Sequence, residues 1–363
     1  MRTQLIATFK NSWYPLKSLE IKEIPVIAEK HPMSLGEFDL IAQLKKKFAT
    51  RSSGVRVGVG DDAAVIVPSP GMELLFTTDA LVEGAHFKSG LISPFQLGRK
   101  AAAVNVSDIA AMGGVPKYLL ATVAVPASQA DSWIQEFSNG MESLAGEFGV
   151  TVVGGDLSHS PCGISISITL AGEVEVGCAL LRSGAKIKDV VMVTGNVGDS
   201  AAGLELLLGL GTRNKDAEEL VQRHLEPRPR VDCGRFLAQN KLATACIDLS
   251  DGLSSDLRRI CEASDVGALV DEAKLPLSEA LRCCAPSLKN KITHYALNGG
   301  EDYELLFTVS PEKIEELMER WPAGLPPITE IGKIVSKEER MSLRRENGSV
   351  EPLAAGGHDH FSK

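Results

Sequence analysis

The sequence lacks an excess of basic residues. Its 363 residues include 38 Lys and Arg against 47 Asp and Glu, which gives a formal net charge of -9. The longest basic block is residues 45–47, a run typical of the solvated face of a helix. Nucleic acids and anionic membranes attract proteins through clustered positive charge. We therefore expect neither a nucleic acid nor a membrane as a partner.

Long apolar runs and paired cysteine motifs are also missing. No segment approaches the roughly 18 apolar residues of a membrane helix. The apolar run at residues 5–9 is too short for the core of a signal peptide. The seven cysteines are odd in number, show no C-x-x-C spacing and mostly lie in apolar stretches. We interpret them as reduced and buried, and we predict a cytoplasmic protein.

The length and the alternation of patterns predict two domains. With 44% hydrophobic residues in 363, the chain can form two sizeable cores. Strand and helix patterns interleave, with apolar runs that predict strands at residues 305–309 and 328–335, which indicates an α/β or α+β class. We predict a weakly ordered extension at residues 1–32, an N-terminal domain at 33–173 and a C-terminal domain at 174–363. Ser34 and Glu37 have the spacing of a capping box, so we expect either that Met33 is the true start or that residues 1–32 are dispensable.

A glycine-rich stretch at residues 55–66 is predicted to form a strand, a turn and a second strand. Residues 58–63 formally match the dinucleotide fingerprint G-x-G-x-x-A. That fingerprint opens a helix whose N-terminus meets a pyrophosphate. Here Asp61 and Asp62 would repel the phosphate, and a strand pattern follows. We therefore exclude a dinucleotide-binding loop.

A second glycine loop, at residues 195–203, also resembles a phosphate-binding motif. It lacks the lysine and the final hydroxyl residue of a Walker A loop. We predict instead a structural turn in which Asp199 or Ser200 caps the following helix.

Aspartates recur at the predicted ends of strands or on a helix of small residues. These positions are Asp61, Asp62, Asp79, Asp108, Asp156, Asp248 and Asp251. Singly, each is typical of a cap or a turn. Gathered at one site, they would require cations to neutralise them. Oxygen ligands without Cys or clustered His favour Mg²⁺, and Mg²⁺ bridging to phosphates is the usual apparatus of phosphoryl transfer.

Three further residues are candidates for ligand contacts. Arg182, in a glycine-flanked loop, could contact phosphate or form a surface salt bridge. His86 could be functional or a buried structural histidine. Glu301, with Asp302 beside it, lies far in sequence from the first aspartates, which favours substrate recognition over metal binding.

Seven motifs occur in the order seen in thiamine-monophosphate kinases, which this sequence resembles from about Met33 to the C-terminus. They are Gly58-Val-Gly-Asp-Asp-Ala, Thr77-Thr-Asp, Asn105-Val-Ser-Asp-Ile-Ala-Ala-Met-Gly, Gly154-Gly-Asp, Arg182-Ser-Gly-Ala, Ile247-Asp-Leu-Ser-Asp-Gly and Gly299-Gly-Glu-Asp-Tyr-Glu-Leu. The resemblance extends to the wider superfamily that includes aminoimidazole ribonucleotide synthetase. It implies a two-domain α/β fold and a homodimer in which strands of the N-terminal domains form a barrel across the interface.

The resemblance also implies residue roles. The implied Mg²⁺ ligands around the triphosphate of ATP are Asp62, Thr77, Thr78, Asp79, Asp108, Asp156, Asp248 and Asp251. The implied ATP contacts are Gly155, Arg182 and Ser250, and the implied contacts to thiamine monophosphate are His86 and Glu301. Family members can carry a substrate-stacking aromatic residue where this chain has His358. An imidazole stacks over less area, so this departure bears on substrate affinity.

The implied activity is ATP-dependent phosphorylation of thiamine monophosphate to thiamine diphosphate, the last step of thiamine diphosphate biosynthesis. A phosphate monoester has a second pKa of about 6, so its oxygen is already nucleophilic at neutral pH and no general base is expected. We expect direct in-line transfer without a covalent intermediate. The alternatives are another ATP-dependent enzyme of the superfamily and a non-catalytic nucleotide-binding dimer. One such enzyme, the hydrogenase maturation protein that dehydrates a carbamoyl group, would require a C-terminal cysteine, whereas this chain ends in Phe361-Ser362-Lys363.

Overall fold

A computed structural model describes residues 37–48, 52–126, 131–211, 214–354 and 356. These residues belong to one compact unit. The predicted extension at residues 1–32, the predicted Ser34 cap and His358 lie outside the described residues.

The described helices and strands alternate along much of the chain. The α-helices are α1 (Glu37–Lys47), α2 (Pro94–Ala111), α3 (Asp131–Glu147), α4 (Asp199–Leu207), α5 (Lys215–Leu225), α6 (Val231–Gln239), α7 (Leu253–Ser264), α8 (Glu279–Cys284), α9 (Ile292–Asn298) and α10 (Ile314–Arg320). The strands are β1 (Val55–Val57), β2 (Val65–Ile66), β3 (Met72–Val82), β4 (Val115–Val125), β5 (Thr151–His159), β6 (Ser165–Glu175), β7 (Val190–Thr194), β8 (Ala245–Asp248), β9 (Gly267–Asp271), β10 (Leu305–Val309), β11 (Ile328–Val335), β12 (Met341–Arg344) and β13 (Val350–Pro352).

The N-terminal half is organised around a four-stranded sheet of order β3-β6-β4-β5. Strands β3 and β6 pair antiparallel along the whole of β3, and β4 and β5 pair parallel because α3 carries the chain from one to the other. Side chains from α2 and α3 and from one face of the sheet form a shared apolar core. The other face carries exposed apolar residues, among them Phe76 with 70% of its surface exposed. Before this sheet, β1 and β2 form the predicted strand-turn-strand unit.

The C-terminal half contains a seven-stranded sheet of order β13-β12-β9-β11-β7-β10-β8. All neighbours in it pair antiparallel except β12 and β9, which are parallel. Strands β10 and β11 have the bounds that their apolar patterns predict. Strand β10, which lies between β7 and the edge strand β8, is buried along its whole length.

Two aspartates do not lie at strand ends as predicted. Asp79 lies within β3, opposite Ile168, and Asp156 lies within β5, opposite Thr122. The apolar pattern stops before each aspartate, but backbone pairing with the neighbouring strand continues past it. Backbone pairing does not depend on the polarity of the side chain.

The prediction that the cysteines are buried holds for only four of seven. Cys233, Cys246, Cys261 and Cys284 are buried, Cys178 is half-buried, and Cys162 and Cys283 are exposed. Cys162 lies in the turn between β5 and β6, and Cys283 lies on the solvent side of the short helix α8. All seven are unpaired. Among the described helices, none has both the length and the apolar character needed to cross a membrane.

Helices α2 and α3 approach each other through glycines. A Cβ atom on Gly98 of α2 would lie 2.0 Å from the carbonyl oxygen of Phe137. A Cβ atom on Gly140 of α3 would lie 1.8 Å from the carbonyl oxygen of Phe95. Because the obstructing atoms belong to the backbone, neither contact can be relieved by a side-chain rotation. The position of α2 over the sheet therefore depends on these two glycines.

We expect Gly140→Ala to destabilise the protein by about 1–3 kcal/mol, because the added methyl group forces α2 and α3 apart. Gly146 is a matched control on the same helix, since a Cβ atom there meets nothing within 4 Å. Gly146→Ala should stabilise the protein by about 0.5–1 kcal/mol through helix propensity. Urea denaturation measures both changes, and a neutral Gly140→Ala would show that the helices are not tightly packed at this point.

Candidate active site

The centre of the site is formed by α2 and β3. Alternation along β3 directs Thr77 and Asp79 towards α2, where the side chains are mostly small. The hydroxyl of Thr77 donates a hydrogen bond to the carboxylate of Asp108, and Asp79 and Asp108 are also hydrogen-bonded to each other. Alanines 101–103 of α2 are buried and allow this close approach.

The second sheet adds two more carboxylates to this centre. Asp248 ends β8 and accepts a hydrogen bond of 2.7 Å from the hydroxyl of Ser107 on α2. Asp251 lies in the loop that follows, and its negative charge raises the pKa of Asp79. We call Thr77, Asp79, Asp108, Asp248 and Asp251 the inner group.

The inner carboxyl groups favour protonation. Burial raises the pKa of Asp79 to about 6, and the charge of Asp108 adds to this effect. Burial also raises the pKa of Asp248 to about 8, again with a contribution from Asp108. The pKa of Asp108 is raised by burial despite its hydrogen bonds with Thr77 and Asp79. Without a cation, the inner group therefore retains protons near neutral pH.

The loop at residues 250–252 is fixed by Asp256 on α7. One carboxylate oxygen of Asp256 accepts hydrogen bonds from the backbone N–H groups of Ser250, Asp251 and Gly252, each at 3.1 Å. Gly252 has a φ of 113°, and a Cβ atom there would lie 2.9 Å from the carbonyl carbon of Asn298. Ser250 and Asp251 are therefore held in place by the fold itself.

The remaining predicted metal ligands lie elsewhere. Alternation places Thr78 and Asp156 on the sheet face opposite Asp79. Thr78 donates a hydrogen bond of 3.1 Å to the carbonyl of Ile168. Asp62 and Asp156 line a cavity of about 890 Å³ together with Gly155. We call Asp62, Thr78 and Asp156 the outer group.

Asp61 has a structural contact in this region. Its carboxylate accepts a hydrogen bond of 2.9 Å from the backbone N–H of Asp62 and so closes the turn between β1 and β2. In the described part of the chain, no three side chains of His, Cys, Asp or Glu are arranged as a ready-made metal site. The structure therefore keeps the inner and outer groups as two separate sets.

The predicted nucleotide contacts lie near both groups. A Cβ atom on Gly155 would lie 2.1 Å from the carbonyl oxygen of Ala121, so strand packing alone requires glycine there. Arg182 is exposed, and its positive charge lowers the pKa of Asp108, which places it beside the inner group. The backbone carbonyl of Ser250 accepts a hydrogen bond of 2.8 Å from the N–H of Glu301.

The two predicted substrate contacts that the structure describes lie close together. The charge of His86 contributes to lowering the pKa of Glu301, so the two side chains are neighbours. Nδ1 of His86 accepts a hydrogen bond of 3.1 Å from the backbone N–H of Val82. Glu301 is bound by Lys100 at 2.9 Å between Nζ and Oε2.

The prediction that Asp199 or Ser200 caps α4 is wrong, and so is the assignment of Asp302 to substrate recognition. The N-cap position is Gly198, which has no capping side chain. The carboxylate of Asp302 instead accepts hydrogen bonds from the backbone N–H groups of Gly198 at 2.6 Å and Ser200 at 3.1 Å. The cap is thus supplied from more than 100 residues away, which local sequence cannot indicate.

Comparison with known proteins supports one family along most of the chain. Residues 60–174 match the N-terminal domain of the AIR synthase related proteins, and residues 186–343 match their C-terminal domain. The thiamine-monophosphate kinase of Bacillus subtilis (strain 168) is 41% identical over 330 residues, which covers 90% of this chain and 100% of the relative. The chain belongs to the thiamine-monophosphate kinase family.

Solved structures of this family share the fold. The thiamine-monophosphate kinase of Stenotrophomonas maltophilia K279a has 35% identity and a TM-score of 0.75, and the match covers 90% of this chain and all of that one. The structure of AaThiL complexed with AMPPCP and TMP has 36% identity and a TM-score of 0.72, with coverage of 90% and 97%. The two-domain α/β architecture predicted from sequence is thereby confirmed.

Several residues at the site of this thiamine-monophosphate kinase family member were not predicted from sequence. They are Lys100, Ser107, His224 and Asp256. A signal existed for Lys100, since it is a cation directly before the alanines of α2. His224 gave no signal, because it lies in an amphipathic helix surrounded by charged residues.

The inner group makes the stability of this family member dependent on pH. In the unfolded chain its aspartates have pKa values near 3.8, whereas those of folded Asp79 and Asp248 are about 6 and 8. The folded state binds more protons, so its stability falls as the pH rises through this range, by at most ~1.4 kcal/mol per pH unit for each group. Urea denaturation in EDTA between about pH 5 and 8 should show this fall.

Asp248→Asn should flatten that pH dependence, because the amide does not titrate. Asp265→Asn is the matched control, since Asp265 is an exposed aspartate paired with Lys337. The control should have the slope of the unmodified protein. Equal slopes for Asp248→Asn and the unmodified protein would contradict the assignment.

Proposed function

We propose that this protein transfers the γ-phosphoryl group of ATP to thiamine monophosphate, giving thiamine diphosphate and ADP. The observation that carries the proposal is the full-length family match combined with the inner group, in which carboxylates from both sheets meet beside Glu301. AMPPCP, which occupies the AaThiL structure together with TMP, is an ATP analogue. ATP is thus the co-substrate in this proposal.

Mg²⁺ is the metal proposed for this reaction, held by the inner and outer groups together with the phosphates of ATP. The donors are hard carboxylate and hydroxyl oxygens, and the raised pKa values of Asp79 and Asp248 support a site where a metal ion would replace the protons that these carboxyls retain. A preformed cage is not required, because Mg²⁺ usually takes one or two carboxylates plus phosphates and water. When bound, Mg²⁺ supplies charge neutralisation between the two phosphate-bearing substrates.

Other residues of the chain orient the carboxylates and the phosphates of ATP. Thr77 and Ser107 direct hydrogen bonds at Asp108 and Asp248 and so fix the carboxylates. Arg182 places positive charge beside Asp108, where its guanidinium group can form an ion pair with a phosphate of ATP. No side chain is assigned as a general base, because the acceptor phosphate is already ionised at neutral pH. In-line transfer then depends on positioning and charge, without a covalent intermediate.

Substrate recognition is proposed for His86 and Glu301, with His358 as a third contact. Thiamine carries a cationic ring system, and an anionic carboxylate is complementary to it. Burial alone would raise the pKa of Glu301, but the charge and hydrogen bond of Lys100, together with His224 and His86, lower it below its ordinary value. Glu301 is therefore an anion at neutral pH.

We propose a homodimer that forms through the face of the four-stranded sheet that carries Phe76. Leu74, Phe76 and Leu120 expose apolar surface there, and they line the cavity that also contains Asp62 and Asp156. Contiguous exposed apolar surface marks interaction sites. In the described residues this sheet is open. We propose that strands of a second copy close it into a barrel.

A cytoplasmic location completes the proposal. Its support is the seven unpaired cysteines, since oxidising compartments favour paired ones. The net charge of -9 supports small anionic substrates held through metal ions over nucleic-acid or membrane partners.

Purified protein incubated with ATP, Mg²⁺ and thiamine monophosphate should produce thiamine diphosphate and ADP, observed by phosphorus NMR. Consumption of ATP without a new diphosphate ester would favour another ATP-dependent reaction of the superfamily. No consumption would favour a non-catalytic nucleotide-binding protein.

Asp79→Asn and Asp108→Asn should each abolish turnover in the same assay, because each removes a charge required around the phosphates. Circular dichroism should show an intact fold, since amide and carboxylate have nearly the same shape. Asp265→Asn serves again as the control and should retain full activity. Full activity in either inner-group variant would refute the metal-binding role.

Phe76→Glu should convert the proposed dimer to monomers, because it places a charge in the apolar interface. Analytical ultracentrifugation measures the change in mass. Met318→Glu on α10 is the control, since Met318 is also an exposed apolar residue but lies outside this face. A monomeric unmodified protein, or a Phe76→Glu variant that remains dimeric, would overturn the proposed interface.

A further inference from the structure

Lys100 is a buried cation on a helix of small residues. It retains only 2% of its surface exposure. Its ammonium group contacts Oε2 of Glu301 at 2.9 Å and the backbone carbonyl of His224 at 3.1 Å. A buried charge is strongly unfavourable unless it is paired and hydrogen-bonded. Both partners of Lys100 come from the C-terminal half, whereas Lys100 itself lies on α2.

Glu301 is held in an unusual backbone conformation. Its φ is 65°, in the left-handed region that residues other than glycine seldom adopt. Its N–H bonds to the carbonyl of Ser250 at 2.8 Å. A Cβ atom on the preceding Gly300 would lie 2.6 Å from that same carbonyl oxygen, so the two loops are in close contact. The backbone of Glu301 is thus attached to the loop that carries Asp251.

Two side chains hold the Glu301 carboxylate at the same oxygen atom. Lys100 contacts Oε2, and Nδ1 of His224 lies 3.3 Å from the same atom. His224 is in turn fixed by the hydroxyl of Ser200 at 3.0 Å. Both contacts are made to Oε2, and 26% of the side chain is exposed. Oε2 is therefore anchored, and the exposed part of the side chain is accessible to a ligand.

Lys100 provides the positive charge in this network. Burial lowers the pKa of His224 to about 4, with a further contribution from Lys100, so His224 is neutral at physiological pH. The charge of His86 contributes to lowering the pKa of Glu301. The charge of Glu301 in turn contributes, after burial, to raising the pKa of Tyr303. In the described part of the chain, Lys100 is the buried lysine whose ammonium group contacts the Glu301 carboxylate directly.

We infer that Lys100 is a positioning residue for substrate binding: it anchors Oε2 of Glu301 so that Oε1 faces the cationic ring system of thiamine monophosphate. This inference rests on the proposed function. Lys100 and Asp108 are two turns apart on α2, a rise of ~12 Å. A single rigid helix therefore sets the separation between the carboxylate that receives the ring and the carboxylates that receive the phosphates.

Lys100→Met is the direct test. We expect the KM for thiamine monophosphate to rise at least about tenfold while the KM for ATP changes less than about twofold, because only Glu301 loses its anchor. We also expect a new acidic limb in kcat/KM for thiamine monophosphate between about pH 5 and 7, because unpaired Glu301 becomes easier to protonate. Lys100→Arg preserves the charge and should restore the unmodified pH profile.

Arg235→Met is the matched control. It removes another ion pair between the two halves, from Arg235 on α6 to Glu175 on β6 at 2.6 Å. It should leave both KM values and the pH profile unchanged. If Lys100→Met lowers thermal stability and raises both KM values equally without a new acidic limb, Lys100 is a structural residue and the inference is overturned.

Two further variants separate a failure of the positioning role of Lys100 from a failure of the substrate contact of Glu301. Should Lys100→Met fail to fold, Lys100→Gln is judged by the same two measurements, since its amide can still donate to the His224 carbonyl. Glu301→Gln tests the substrate contact on which the inference rests. An unchanged KM in Glu301→Gln would refute that contact, whereas a raised KM there with an unchanged KM in the neutral Lys100 variants would refute the positioning role alone.

Discussion

Repulsion between buried carboxylates is the constraint on which the site depends. Asp79 and Asp108 come from the N-terminal half, and Asp248 comes from the C-terminal half. Burial raises the pKa of all three, and the charge of Asp108 raises those of Asp79 and Asp248 further. Such an arrangement persists only because the surrounding fold holds it. The hydrogen bond from Ser107 to Asp248 crosses between the two halves at this point. The protein thus keeps a group of carboxyls that retain protons near neutral pH and that a bound cation can hold in the ionised form.

Helix α2 makes this arrangement possible through the size of its residues. Its buried alanines and the glycine contacts with α3 allow the backbone to lie close to the sheet and to the second half of the chain. The same helix presents Lys100, Ser107 and Asp108, which face three different partners. A helix with larger core residues would stand farther from β8 and would separate Ser107 from Asp248. Small residues therefore have a positional role here as well as a packing role.

Local patterns in the sequence predicted much of the fold and part of the site. The apolar runs of β10 and β11 gave correct bounds, and the acidic motifs correctly indicated Asp79, Asp108 and Asp248 as neighbours. The division into inner and outer groups was not predicted, because it depends on which face of β3 and β5 each residue occupies. Asp302 and His224 could not be assigned, since their partners are supplied by elements distant in sequence. Periodicity describes one element at a time, whereas these contacts require the packing between elements.

The left-handed backbone of Glu301 has a consequence for how the sequence can vary. A glycine would relieve the conformational strain at this position but would remove the carboxylate that Lys100 neutralises, leaving a buried ammonium group without a counter-ion. Asparagine tolerates the backbone angle, but its side chain is uncharged and one methylene shorter than that of glutamate. Residues 100 and 301 are therefore expected to co-vary during evolution, although 201 positions separate them in the chain. Selection at this pair acts on a charge balance that spans two structural halves.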